Sequence, residues 1–257
     1  YRLPSFIFLM LALYATFKFA QLKYNQTVAQ LAVLILASCQ AFFLIAHDVR
    51  TDTMLMGWVA LTIWLIAKWE SSKAWQDFAL AMVAIAGGMM TKGPIALVVP
   101  VLAFAPQWFF EKKWAYFFKP IYLVGIIIIG ILLIPMTWGL YQQFDLHPGK
   151  LINNIPIQSG LRFYYWTQSF GRYTGENYYH EMSYPTFLLE NMLWSFLPWI
   201  FIFIWAFIAK FIKMFNEGLF DVQTERISFF GFFLTYLVLS RSQAQLPHYI
   251  FVVFPLA

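Results

Sequence analysis

The stretch Ala46-His47-Asp48-Val49-Arg50-Thr51-Asp52-Thr53 places four ionisable side chains in six positions between two long apolar runs. Imidazole, guanidinium and carboxylates at that spacing could pass a proton or hold an anion. A second polar break, Thr91-Lys92-Gly93-Pro94, interrupts the apolar stretch from Ala79 to Ala105. Pro94 ends what precedes it and suits the first turn of a new helix, while Gly93 permits a tight backbone approach. Lys92 is thereby held beside a helix N-terminus, where free N–H groups and an ammonium together attract an anion. A third break, Arg241-Ser242-Gln243-Ala244-Gln245-Leu246-Pro247-His248-Tyr249, supplies Arg241 and His248 for a phosphate and Tyr249 as a hydrogen-bond donor. The plainer readings of these breaks are a solvated turn and a lysine snorkelling at a helix end.

The elements that must position these residues are membrane helices. Of 257 residues, 61% are hydrophobic and only 11% charged. Soluble domains carry about 25% charged residues, so the composition predicts an all-α polytopic membrane protein. Apolar segments run over 5–21, 27–46, 53–68, 76–90, 94–110, 119–140, 186–209, 226–240 and 248–257. A bilayer core of roughly 30 Å fits the longer ones as spans. Seventeen Lys and Arg against twelve Asp and Glu read as a topology signal and not as nucleic-acid binding. If Arg2 starts outside, ten of the seventeen fall on inner connectors. That alternation puts the turns His47–Asp52, Thr91–Pro94 and Arg241–His248 on one face, with the long connection 141–185. Dense aromatics such as Phe163-Tyr164-Tyr165-Trp166 predict short amphipathic helices lying in the interface there.

Other features carry less. Cys39 is the single cysteine, which excludes an internal disulfide. His47, His147 and His180 are too scattered to argue a metal site. Asn25-Gln26-Thr27 fits a glycosylation pattern but falls on the inner face, and Glu190 sits near the outer end of a membrane segment.

Five short runs in consistent order give the chain a family resemblance. Met90-Thr91-Lys92-Gly93-Pro94, with Leu97-Val98-Val99-Pro100 after it, resembles the Leu-Thr-Lys-Gly-Pro turn of glycosyltransferase family 39. That family includes the lipid A aminoarabinose transferases and is related to the protein O-mannosyltransferases. Arg2-Leu3-Pro4-Ser5, Arg50-Thr51-Asp52, Ser195-Phe196-Leu197-Pro198-Trp199 and Leu246-Pro247-His248-Tyr249 are similar to further pieces of the family pattern.

The resemblance implies a GT-C-type transmembrane helix bundle with amphipathic juxtamembrane helices in one long outer loop, residues 1–257 forming part of a single glycosyltransferase domain. It implies an inverting transfer of a sugar from a polyprenyl-phosphate donor to a lipid or protein acceptor, on the outer face of the bacterial cytoplasmic membrane. By the same resemblance Arg172 and Lys92 hold the donor phosphate, with Arg241 nearby, and Asp52 supports catalysis. Arg50, His47, Tyr173, His180, His248 and Tyr249 are the further residues that could contact donor or acceptor. No cofactor is implied outright, though a divalent metal is compatible. The alternative is a polyprenyl-lipid or small-molecule transporter or flippase. Two departures stand out: Gln168 replaces a family glutamate before Arg172-Tyr173, and Gln243 and Gln245 replace lysines. The family's first outer loop, with its Asp-Glu pair and presumed base, has no counterpart after Tyr1. The sequence is therefore read as a piece of a longer chain, inactive alone.

Overall fold

A computed structural model of the chain describes residues 2–152, 155–176, 184–216 and 225–257. It is a bundle of helices: α1 (Leu3–Lys23), α2 (Gln26–Ser38), α3 (Gln40–Ala46), α4 (Thr51–Ser72), α5 (Trp75–Lys92), α6 (Ile95–Phe110) and α7 (Ile121–Leu140). After the long connection come α10 (Phe187–Ser195), α11 (Ile200–Asn216), α12 (Ile227–Ser240) and a terminal 3-10 helix, Pro247–Leu256. By length and composition α1 and the run Trp114–Asp145 can cross a membrane, and the bent pair α2–α3 would make a third span. Exposed apolar side chains are conspicuous on α7, among them Leu123, Ile126, Ile127, Ile131 and Ile134. With no water in the bilayer core, a helix satisfies its own backbone and can leave such a surface open.

Close approach holds the centre together. α4 packs against α1 and α5. At Gly57 a Cβ would lie 2.7 Å from the carbonyl oxygen of Phe8, so only glycine lets α4 lie this near α1. Small residues at such crossings are the usual means of helix contact where apolar burial gains nothing over lipid. Asn25 accepts a hydrogen bond from the Val28 N–H at 2.9 Å and caps α2, which accounts for the Asn-Gln-Thr run as a helix start.

Three of the expected segments differ in detail. The run 27–46 is not one straight helix but bends by 62° at Cys39. The run 186–209 divides into α10 and α11 around Leu197-Pro198, because proline cannot continue the hydrogen-bond ladder. The two breaks meet: Gln40 N–H donates to the Leu197 carbonyl at 2.9 Å, and Trp199 Nε1 donates to Ser38 Oγ at 2.8 Å. Backbone groups freed in one helix are thus satisfied by the other. The long connection is also not purely helical. Strands β1 (Lys150–Ile152) and β2 (Ile155–Ile157) form an antiparallel hairpin, followed by short helices α8 (Gly160–Arg162) and α9 (Gly171–Thr174). Glu190 is held by Tyr184 Oη and Thr186 Oγ1, at 2.6 and 2.9 Å, at the start of α10.

The two ends of the bundle are distinct. At one end the Lys-rich connectors meet through Lys23–Glu70 (3.3 Å), Lys68–Asp77 (2.7 Å) and Lys210–Glu225 (2.6 Å). The other end gathers the unusual turns.

Candidate active site

Asp52 stands in the first turn of α4, only 6% exposed, and Lys92 is the last residue of α5. Their side chains form an ion pair through Lys92 Nζ and Asp52 Oδ1. The α5 helix stops there because Gly93 adopts φ 78°, a left-handed value that glycine takes without strain, and Pro94 then opens the way into α6. His248, on the first turn of the terminal 3-10 helix, brings Nε2 to 3.6 Å from Asp52 Oδ2. Its Nδ1 lies 2.8 Å from Arg50 Nη1. A guanidinium can only donate, so Nδ1 accepts and the ring proton sits on Nε2, facing Asp52. Arg50 also pairs with Asp48, whose carboxyl this contact holds below the usual aspartate range.

Arg172 approaches from the long connection. Its Nε donates to the Gln168 carbonyl (2.7 Å) and its Nη2 to Gln168 Oε1 (3.1 Å). Nη1 donates to Tyr249 Oη at 2.6 Å and to the Ala244 carbonyl at 3.4 Å. All these acceptors are neutral, so the guanidinium keeps its full charge, whereas Lys92 is compensated by Asp52. Tyr249 links the two cations: Lys92 Nζ lies 4.1 Å from its ring centre and the Arg172 carbon Cζ 5.2 Å. The long connection is fastened over α5 by Tyr164, whose hydroxyl donates to the carbonyls of Met89 and Met90 at 2.9 Å each. Burial pushes that hydroxyl up to about 12. Tyr173 donates to the Val238 carbonyl at 2.8 Å and fastens the same segment to α12; burial raises its hydroxyl as well.

Beside this cluster lies a cavity of about 380 Å³. Asp52, Lys92, Gln168, Arg172, Tyr173 and Tyr249 supply its polar rim, and Leu55, Ile95, Val98, Val238 and Val252 much of its apolar wall. A cationic mouth on an apolar slot suits an amphiphile with a phosphate head.

Of the residues singled out in the sequence, Asp52, Lys92, Arg50, His248, Arg172, Tyr173 and Tyr249 come together. Two others do not. His47 caps its own helix, Nδ1 lying 2.9 Å from the Phe43 carbonyl, and is outside the cavity. Arg241 is exposed at the end of α12 and does not line the cavity. His180 lies outside the described residues. Lys92 is fixed by Asp52 and the Tyr249 ring. In the sequence Gln168 stands out only as a departure from the family pattern; the structure shows that it orients Arg172. Its position four residues before Arg172 in a helical stretch was the available signal. Gln245 is buried and donates to the carbonyls of Ser240 (2.8 Å) and Ser242 (3.1 Å), so it stiffens its turn and does not face the cavity. Among the described residues no three His, Cys, Asp or Glu side chains converge as a metal site.

Residues 1–138 match the family of dolichyl-phosphate-mannose-protein mannosyltransferases. The chain belongs to this family. Among curated relatives, it is 24% identical over 211 residues to the undecaprenyl phosphate-alpha-4-amino-4-deoxy-L-arabinose arabinosyl transferase 2 of Pseudomonas fluorescens (strain Pf0-1), covering 77% of this chain and 33% of that one. It is 25% identical over 182 residues to the corresponding transferase of Enterobacter sp. (strain 638), covering 68% and 30%. The chain thus spans about a third of the length of these curated relatives. Its fold matches the crystal structure of ArnT from Cupriavidus metallidurans bound to undecaprenyl phosphate, with TM-score 0.79, 16% identity and coverage of 99% of this chain and 44% of that one. The apo structure of the same protein gives TM-score 0.76, again at 16% identity, over 99% of this chain and 43% of that one. The chain is a polytopic membrane protein with the GT-C-type fold of that family.

Proposed function

We propose that this chain is the donor-binding part of a membrane glycosyltransferase, which moves a sugar from a polyprenyl-phosphate carrier to a lipid or protein acceptor. The carrying observation is the convergence of Arg172, Lys92 and Tyr249 at the mouth of an apolar cavity. The names of the curated relatives, which are transferases of a sugar carried on undecaprenyl phosphate, support the same reading.

Glycosyl transfer from a lipid phosphate requires stabilising the phosphate as the sugar leaves and activating the acceptor nucleophile. Arg172 meets the first need with an uncompensated planar fork already oriented by Gln168 and Tyr249. Lys92 is a second ligand, available as the donor phosphate competes with Asp52 for its ammonium. Asp52, buried and charge-paired, positions Lys92 and His248. The apolar wall between α4, α6 and α12 receives the first isoprene units of the carrier. The site opens on the face opposite the Lys-rich connectors, and the distribution of positive charge supports an outward orientation of that face in a bacterial cytoplasmic membrane.

The deciding experiment measures sugar release from a polyprenyl-phosphate-sugar by the intact protein in vesicles. Donor-dependent transfer lost in Arg172→Ala supports the reading. Movement of the lipid across the bilayer without cleavage of the sugar–phosphate bond would overturn it in favour of a flippase.

A further inference from the structure

The end of the bundle opposite the candidate active site carries a second cluster of cations. The connector from α6 to α7 folds into a single 3-10 turn, Trp114–Tyr116, and lays Tyr116 against the end of α4. Three ammonium groups surround that one ring. Lys119 Nζ lies 3.7 Å from its centre, Lys73 Nζ 4.8 Å and Lys113 Nζ 5.9 Å. Lys119 also lies 4.8 Å from the Trp69 ring centre. Lys73 closes α4 in a left-handed conformation, φ 55°, and its ammonium contacts the Tyr116 hydroxyl and the Glu70 carbonyl.

The charges do not cancel. Lys113 is paired with Glu111 at 2.6 Å. Glu70 is engaged by Lys23 at 3.3 Å and by the Trp108 indole. Lys73 and Lys119 have no carboxylate partner among the described residues. Cations gathered on one ring repel one another, and a face of an aromatic ring offsets only part of that cost. The connector also carries Trp114 and Phe118, the latter 84% exposed, immediately before α7 with its exposed apolar side chains.

We propose that Lys73, Lys113 and Lys119 form a binding site for the headgroup phosphate of an anionic phospholipid, with Trp114 and Phe118 lying among its acyl chains. A free phosphate ion would explain the lysines but not the exposed aromatics beside them. Basic pockets at helix ends are a known means of holding anionic headgroups. This site does not depend on the reading of the opposite face.

The test uses the intact protein in neutral detergent, titrated with phosphatidylglycerol or phosphatidylcholine and followed by native mass spectrometry. Wild type retains phosphatidylglycerol in preference to phosphatidylcholine. Lys73→Gln and Lys119→Gln each weaken phosphatidylglycerol binding about tenfold, the value of one charge-assisted bond. Lys119→Arg retains binding, which shows that loss in the glutamine variant is loss of charge and not of fold. Lys18→Gln, on α1 with its ammonium at Gln21 and near the Tyr14 and Phe17 rings and not at the Tyr116 ring, leaves binding unchanged. Equal phosphatidylglycerol binding by wild type and Lys73→Gln/Lys119→Gln would overturn the site, as would an equal loss in Lys18→Gln. Displacement of the lipid by an equal concentration of inorganic phosphate would overturn the choice of a lipid headgroup.

Discussion

Asp52 and Lys92, 40 residues apart in the chain, close an ion pair between the first turn of α4 and the last turn of α5. With Asp52 nearly buried, removing one partner leaves the other uncompensated, which typically costs about 3–5 kcal/mol. Lys92→Met and Asp52→Asn should each lower the unfolding free energy in detergent, and the double variant should lose much less than the two together. A coupling of at least about 1 kcal/mol is expected for groups in direct contact. Strict additivity would show that the pair contributes nothing as a pair. Turnover should behave differently. If Asp52 positions Lys92 for the donor, Asp52→Asn loses about a hundredfold, within the range for groups that serve acid–base or charge roles, and the double variant does not regain it.

The apolar runs, the location of the polar turns on one face and the family were legible in the sequence, because they depend on composition, alternation and short contiguous motifs. Which polar residues meet was less legible. Arg241 and Arg172 are both basic residues on the same face, yet only Arg172 has an i−4 glutamine and an opposing tyrosine to fold it inward. His47 and His248 likewise look equivalent until the 62° bend and the end of α3 point His47 back onto its own carbonyls. The hairpin Lys150–Ile157 gave no alternating pattern long enough to read, since each strand is three residues. The break at Leu197-Pro198 was visible as a proline. Its partner at Cys39 was not, because that bend is stabilised by Trp199 and Leu197 from 158 or more residues away and not by any local breaker.

Topology offers a direct check. Cys39 is fully buried, so the native protein should give almost no background with an impermeant thiol reagent. Gln158→Cys, exposed after β2, should label from the face of the candidate site, and Lys113→Cys only from the other face. Gly160, in the same loop, is unsuitable because a Cβ there would lie 2.8 Å from the Phe144 side chain. Labelling of both positions from one side would disprove the two-ended arrangement.

Alkaline pH should loosen the segment that carries Arg172. The folded Tyr164 hydroxyl titrates at about 12, against about 10 in an unfolded chain. Its contribution to stability is therefore complete below about pH 10 and is lost as pH rises toward about 12, because only the unfolded state releases the proton in that window. Tyr164→Phe should remove this part of the alkaline slope while costing about 1 kcal/mol at neutral pH through the lost bonds to Met89 and Met90. The measurement is the unfolding midpoint of both proteins in detergent across pH 9 to 12. Identical slopes would mean that Tyr164 does not anchor the segment.

Arg172 and Lys92 should respond differently to the same chemical change. Arg172 uses all three nitrogens: Nε and Nη2 on Gln168, and Nη1 on Tyr249 and Ala244. A lysine can replace the charge but not this geometry, nor offer two parallel donors to a phosphate. Arg172→Lys should therefore be nearly as damaging as Arg172→Ala, each raising the donor concentration needed for half-maximal transfer, or lowering turnover, by at least about tenfold. Lys92 acts as a point charge between Asp52 and the Tyr249 ring. Lys92→Arg keeps that charge and should be tolerated better than Lys92→Ala. Gln168→Glu provides the third comparison, because a carboxylate at that position would neutralise the guanidinium and weaken its hold on an anionic donor while leaving its orientation intact. The assay is transfer against polyprenyl-phosphate-sugar concentration, with expression and insertion checked for each variant. Wild-type kinetics in Arg172→Lys would mean that the fork is not used on the donor and that Arg172 serves only to tie the long connection to Tyr249.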